Sequence, residues 1–105
     1  GDRVGFNLAA IEQIQTIASQ SQAKFLLVMT PLLRELGEPG SRDYEQKARQ
    51  RLNELTQQKQ IELIDFLPIF NAAPQPQSLY RDHIHLSPAG NQLVTHHIIQ
   101  ALNNL

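Results

Sequence analysis

Two short apolar runs, each set between stretches of helical period, constrain this chain more than any other feature. Lys24-Phe25-Leu26-Leu27-Val28-Met29-Thr30 is continuous and is ended by Pro31, and Ile61-Glu62-Leu63-Ile64-Asp65-Phe66 is the second. Both are too short for a buried helix. The length of the first suits a strand covered on both faces, as in a parallel sheet. Around the runs the period changes. Leu8, Ile11, Ile14 and Ile17 recur every three residues, with Ala10 and Ala18 beside them, which predicts an amphipathic helix over about 7–21. Asp43 is expected to cap a second helix over about 44–58, with Tyr44, Ala48, Leu52 and Leu55 as its inner stripe. Ser87 suits an N-cap and Pro88 a first helical position. They predict a last helix from Pro88 to about Asn103 that turns Val94, Ile98, Ala101, Leu102 and Leu105 inward. Residues 31–42, PLLRELGEPGSR, read as a long loop, and 67–81 as a Pro-punctuated connection with one helical turn near Ile69-Phe70.

The order helix-strand-helix-strand-helix predicts an α/β layer fold whose two strands run parallel through a right-handed crossover. Two strands make a small sheet, yet both runs read as buried on two sides. Further strands are therefore expected from another part of a longer chain, or from a second copy pairing edge to edge. The start at Gly1, with no signal-peptide pattern, fits the same expectation. At 105 residues the chain is one domain long. Its net charge of -1 gives no electrostatic footprint for nucleic acid or an anionic membrane. No apolar run approaches the roughly 20 residues of a membrane span. The absence of Cys excludes disulfides and thiolate zinc sites and leaves the compartment unreadable.

The chemistry concentrates in residues 79–91, LYRDHIHLSPAGN. Asp82 and His85 stand three residues apart, directly before a capped helix. A turn there brings the carboxylate to the imidazole, within about 2.6–3.2 Å. An Asp that accepts one ring N–H fixes the tautomer and leaves the other nitrogen as a base. The plain alternatives are a turn-forming Asp82 that bonds its own backbone and a packed loop histidine at 85. His83 reads as a solvent-facing neighbour. His83 and His85 alternate like two ligands on a strand face, and His96 and His97 could add to them, but no further ligand has diagnostic spacing, so no metal is expected. His97 borders the apolar stripe of its helix, and His96 faces away. Asp65 reads as a loop-capping acid rather than a catalytic one. Arg34 and Glu35 either line a cleft or are solvated.

DHIHLSPAG, at 82–90, resembles the last block of the SGNH (GDSL) hydrolases, an Asp-x-x-His followed by a small polar residue and a Gly in the opening helix. The order of elements before it follows the C-terminal half of that family. The resemblance implies a flavodoxin-like, three-layer α/β/α fold and ester hydrolysis on lipid, acyl or acetylated carbohydrate substrates without a cofactor. It implies His85 as catalytic base and Asp82 as its orienting acid. The family's serine block and its Gly and Asn oxyanion donors have no counterpart: Gly1-Asp2-Arg3 has Arg where Ser would stand, and Ser19, Ser21, Ser41, Ser78 and Ser87 sit in no matching context. The chain therefore reads as the C-terminal portion of an SGNH hydrolase domain. It is expected to be inactive alone and to pair with a missing N-terminal half or with a second copy. The other reading is a non-catalytic α/β interaction or structural module that keeps the family's shape.

Overall fold

In a computed structural model that describes Gly1–Leu105, the chain runs through helix α1 (Arg3–Gln20), strand β1 (Leu26–Met29), a 3₁₀ turn (Leu33–Glu35) and helix α2 (Asp43–Lys59). Strand β2 (Glu62–Asp65), helix α3 (Phe66–Asn71), a second 3₁₀ turn (Pro76–Leu79) and helix α4 (Pro88–Asn103) follow. The two strands form a parallel sheet joined through α2, an α/β arrangement compatible with part of a flavodoxin-like SGNH fold. β1 is half-buried along its length, and β2 is half-buried after an exposed Glu62, so neither is covered on both faces as their composition predicts. The chain divides into two compact units.

One unit holds residues 1–27 and 43–63. Here α1 starts four residues before the expected position, because Asp2 caps it by accepting the Gly5 N–H at 3.0 Å. Asp2 also takes both ends of the Arg51 guanidinium at 3.0 Å, which ties the start of α1 to α2. That pairing, with the Gly5 N–H second, holds the Asp2 carboxyl down at about 2 and raises Arg51. Gln15 donates to the Lys59 carbonyl at 2.6 Å. Leu55, Thr56 and Ile61 are buried. The expected stripe of α1 is not an inner face: Ile14 and Ile17 are exposed, as is Phe6, and no residue of the helix is fully buried. Steps of three residues fall about 60° short of a turn, so Leu8 to Ile17 winds half-way round the helix. Asp43 is the first helical residue of α2 rather than its cap, and Tyr44 faces solvent.

The other unit holds residues 28–42 and 64–105. Its core is Leu36, Phe66, Phe70, Leu79 and Tyr80, with Val28, Ile64, Leu86, Leu93 and Val94 packed against them. Phe66 and Phe70 are fully buried, 5.4 Å apart between ring centres, and Tyr80 meets Phe70 edge-on at 5.9 Å. The second apolar run ends as a strand one residue before Phe66. Asp65 accepts the Leu67 N–H at 3.0 Å and so caps α3, while Pro68 falls in the first turn, where its missing N–H costs nothing. The connection after β2 thus contains a fourth α-helix. Helix α4 spans the predicted residues and packs on the Pro76–Leu79 turn. Of its expected inner residues, Leu102 is exposed and the others are half-buried.

Candidate active site

Residues 79–87 double back as a narrow loop. Ser87 N–H donates to the Leu79 carbonyl at 2.9 Å, Arg81 N–H to the His85 carbonyl at 2.8 Å, and Tyr80 and Leu86 pair antiparallel. Ser87 caps α4 by accepting the Gly90 N–H at 3.2 Å, and its hydroxyl donates to the Ser78 carbonyl at 2.6 Å. Helix α4 therefore begins against the base of the loop, with 82–84 at the tip.

At that tip Asp82 does both things its sequence position allows. Its Oδ1 accepts the backbone N–H groups of Ile84 at 2.9 Å and His85 at 2.7 Å, as in an Asx turn. Its Oδ2 lies 2.8 Å from Nδ1 of His85, and Oδ1 lies 3.1 Å from the same nitrogen. The Ile84 and His85 amides, and then the imidazole, hold the Asp82 carboxyl well below the usual carboxylate range. Asp82 is thus charged at any working pH. With a carboxylate as acceptor, Nδ1 carries the proton and Nε2 is left as the basic nitrogen. The His85 side chain is 60% exposed, and Nε2 makes no hydrogen bond. The arrangement can orient an imidazole and accept a proton from an approaching hydroxyl.

A family model described as "SGNH domain (fused to AT3 domains)" matches residues 5–100. The chain belongs to this SGNH domain family. Comparison with curated proteins and with solved structures gave no match. The matched span of the SGNH domain takes in both strands and the whole of the 79–91 segment.

The other candidates of the SGNH domain take no part in the Asp82–His85 contact. His83 is exposed, and what it contributes is its backbone carbonyl, which accepts the Leu33 N–H at 3.1 Å. His97 sets its ring at right angles to Phe66 at 5.7 Å, and His96 is exposed beside it. No three His, Asp or Glu side chains stand close enough to hold a metal ion. Asp65 caps α3. Glu35 neither lines a cleft nor is solvated: it is 5% exposed, and it accepts the Leu32 N–H at 2.7 Å and the Ser41 hydroxyl at 2.8 Å. Arg34 beside it is exposed. The Tyr80 hydroxyl donates to the Pro31 carbonyl, and burial, with the Glu35 charge second, pushes it up to about 12. Neither Tyr80 nor the true role of Glu35 is visible from spacing. The available signal is a lone Glu among Leu32, Leu33 and Leu36, which a solvated loop would not need. The hydroxyls of Ser41, Ser78 and Ser87 donate to Glu35, the Gln75 carbonyl and the Ser78 carbonyl, and Ser19 and Ser21 sit at the end of α1.

Proposed function

We propose that this SGNH domain supplies the base half of an acyl-ester hydrolase. The observation that carries the reading is Nδ1 of His85 at 2.8 Å from an ionised Asp82, with Nε2 open to solvent. Nε2 of His85 takes the proton of a serine hydroxyl as its oxygen attacks the ester carbonyl. The imidazolium, steadied by Asp82, then gives that proton to the departing alcohol oxygen, which leaves an acyl-serine. Water, deprotonated by the same nitrogen, releases the acid. The serine and the oxyanion donors come from outside these 105 residues, and the substrate is a lipid, acyl or acetylated carbohydrate ester. The chemistry requires no cofactor.

The family description favours one variant of this reading. Its domains are fused to AT3 domains, an acyltransferase-like context, so a sugar or other hydroxyl can replace water as the acceptor of the acyl group.

Turnover of p-nitrophenyl butyrate tests the reading. The 105-residue chain alone should give no more than free imidazole at equal concentration. Joined to a segment that carries a Gly-Asp-Ser block, it should turn over, and His85→Ala should reduce kcat by about 10²–10⁴-fold. Turnover by the chain alone that repurification does not remove and that His85→Ala abolishes would mean that a serine within it is the nucleophile. Turnover of the joined protein that is indifferent to His85→Ala would end the catalytic reading in favour of a non-catalytic module.

A further inference from the structure

The loop that carries His85 is held from outside by the segment that leaves the carboxyl end of β1. Two bonds make the connection: the Tyr80 hydroxyl to the Pro31 carbonyl, and the Leu33 N–H to the His83 carbonyl at 3.1 Å. They grip the loop on either side of Asp82. Both donor–acceptor pairs depend on how residues 31–41 are folded, and that stretch has little regular structure, only the single 3₁₀ turn Leu33–Glu35. Its fold is set by a buried carboxylate. Glu35 Oε2 accepts the Leu32 N–H at 2.7 Å, and Oε1 accepts the Ser41 hydroxyl at 2.8 Å from the far end of the loop. A carboxylate that is 5% exposed is expensive to bury, and its hydrogen bonds are what retain it there. An apolar side chain among Leu32, Leu33 and Leu36 would fill the space but would leave both donors without an acceptor.

We infer that Glu35 is a positioning residue for the Asp82–His85 pair, acting through the Leu33 N–H that holds the His83 carbonyl. This rests on the reading of that pair as the acid and base of the site. Glu35 touches neither side chain of the pair. It fixes the loop that fixes the carbonyl two residues before His85, so it governs how often the imidazole is presented against Asp82 rather than whether it can be. A misplacement of about 1 Å at such a group costs about 10²-fold in rate, which is why a brace this far from the ring matters.

Two variants, a reference variant and a control test this by NMR on the full chain, reading the His85 ring nitrogens and the exchange of the Leu33 amide. Asp82→Asn first sets the signature of an unheld ring. Glu35→Ala should speed exchange of the Leu33 amide about tenfold or more and move the His85 ring towards that signature. Leu33→Pro should move the ring in the same way with Glu35 intact. Leu32 is already extended (φ -76°, ψ 153°) and residue 33 opens the 3₁₀ turn, so proline fits there and removes only the N–H and part of a side chain. Leu55→Ala, in the other unit, should lower the unfolding midpoint and leave the ring where it was. If the ring keeps its native signature in folded Leu33→Pro, the inference is wrong whether or not Glu35→Ala folds. It is equally wrong if Leu55→Ala shifts the ring as far as Glu35→Ala does. If instead Asp82→Asn leaves the ring unchanged, it is the underlying acid–base reading that fails.

Discussion

A methyl group on residue 90 would overlap the Leu79 carbonyl oxygen. Gly90 lies in the first turn of α4, where alanine is ordinarily favoured by about 1 kcal/mol. Here the sign should reverse. Helix α4 has to back away from the base of the loop, and Gly90→Ala should destabilise the chain by about 1–3 kcal/mol in urea unfolding. An unchanged or raised midpoint would show that the helix start is not seated on Leu79. The Gly of DHIHLSPAG thus has a local reason that concerns where the loop is held. Spacing alone makes Asp82 and His85 legible as a pair, because three residues in a turn suffice to join them. Glu35 and Tyr80 are not legible, because their partners Ser41 and Pro31 reach them only once the loop has folded.

Among the elements, α1 and α2 end alike. Ala23 N–H donates to the Ala18 carbonyl at 2.8 Å and Ile61 N–H to the Thr56 carbonyl at 2.9 Å, so each helix closes with the six-to-one bond of a Schellman motif. The residues that must turn left-handed to allow this are Gln22 (φ 58°) and Gln60 (φ 55°), where glycine is usual. Gln60→Gly should therefore stabilise the chain by about 0.5–1 kcal/mol in thermal unfolding, and Gln22→Gly should act in the same direction. A lower midpoint for both would argue against this ending. The sequence marks α4 best, because Ser87 and Pro88 announce its start. It marks α3 worst: Phe66 extends the apolar run of β2, and only the cap formed by Asp65 turns the backbone into a helix there. The stripe of α1 is misleading because a strict three-residue repeat matches no single helical face.

At the scale of the whole molecule, the α/β alternation and the parallel pairing are legible from the two apolar runs and the helix between them. The burial of the strands is not, because composition states what a strand can tolerate and not what covers it. The charges make a prediction of their own. Asp2 titrates at about 2 in the folded chain and Asp82 well below the ordinary range, against about 3.9 when unfolded. Groups with depressed values contribute stability that is fully present above the unfolded value and is lost as pH falls through the folded one. The thermal midpoint should therefore drop from about pH 4 to pH 2, and Asp2→Asn should flatten that limb. A profile level across this range would contradict the ion pair with Arg51. The most direct test of the central claim, that Asp82 holds the His85 imidazole with Nε2 left as base, is a long-range ¹H–¹⁵N spectrum of the His85 ring in the native chain and in Asp82→Asn. In the native chain the ring should carry its proton at Nδ1, facing the carboxylate, and the variant should lose that preference. A ring protonated at Nε2 in the native chain, or the same tautomer in both proteins, would contradict it.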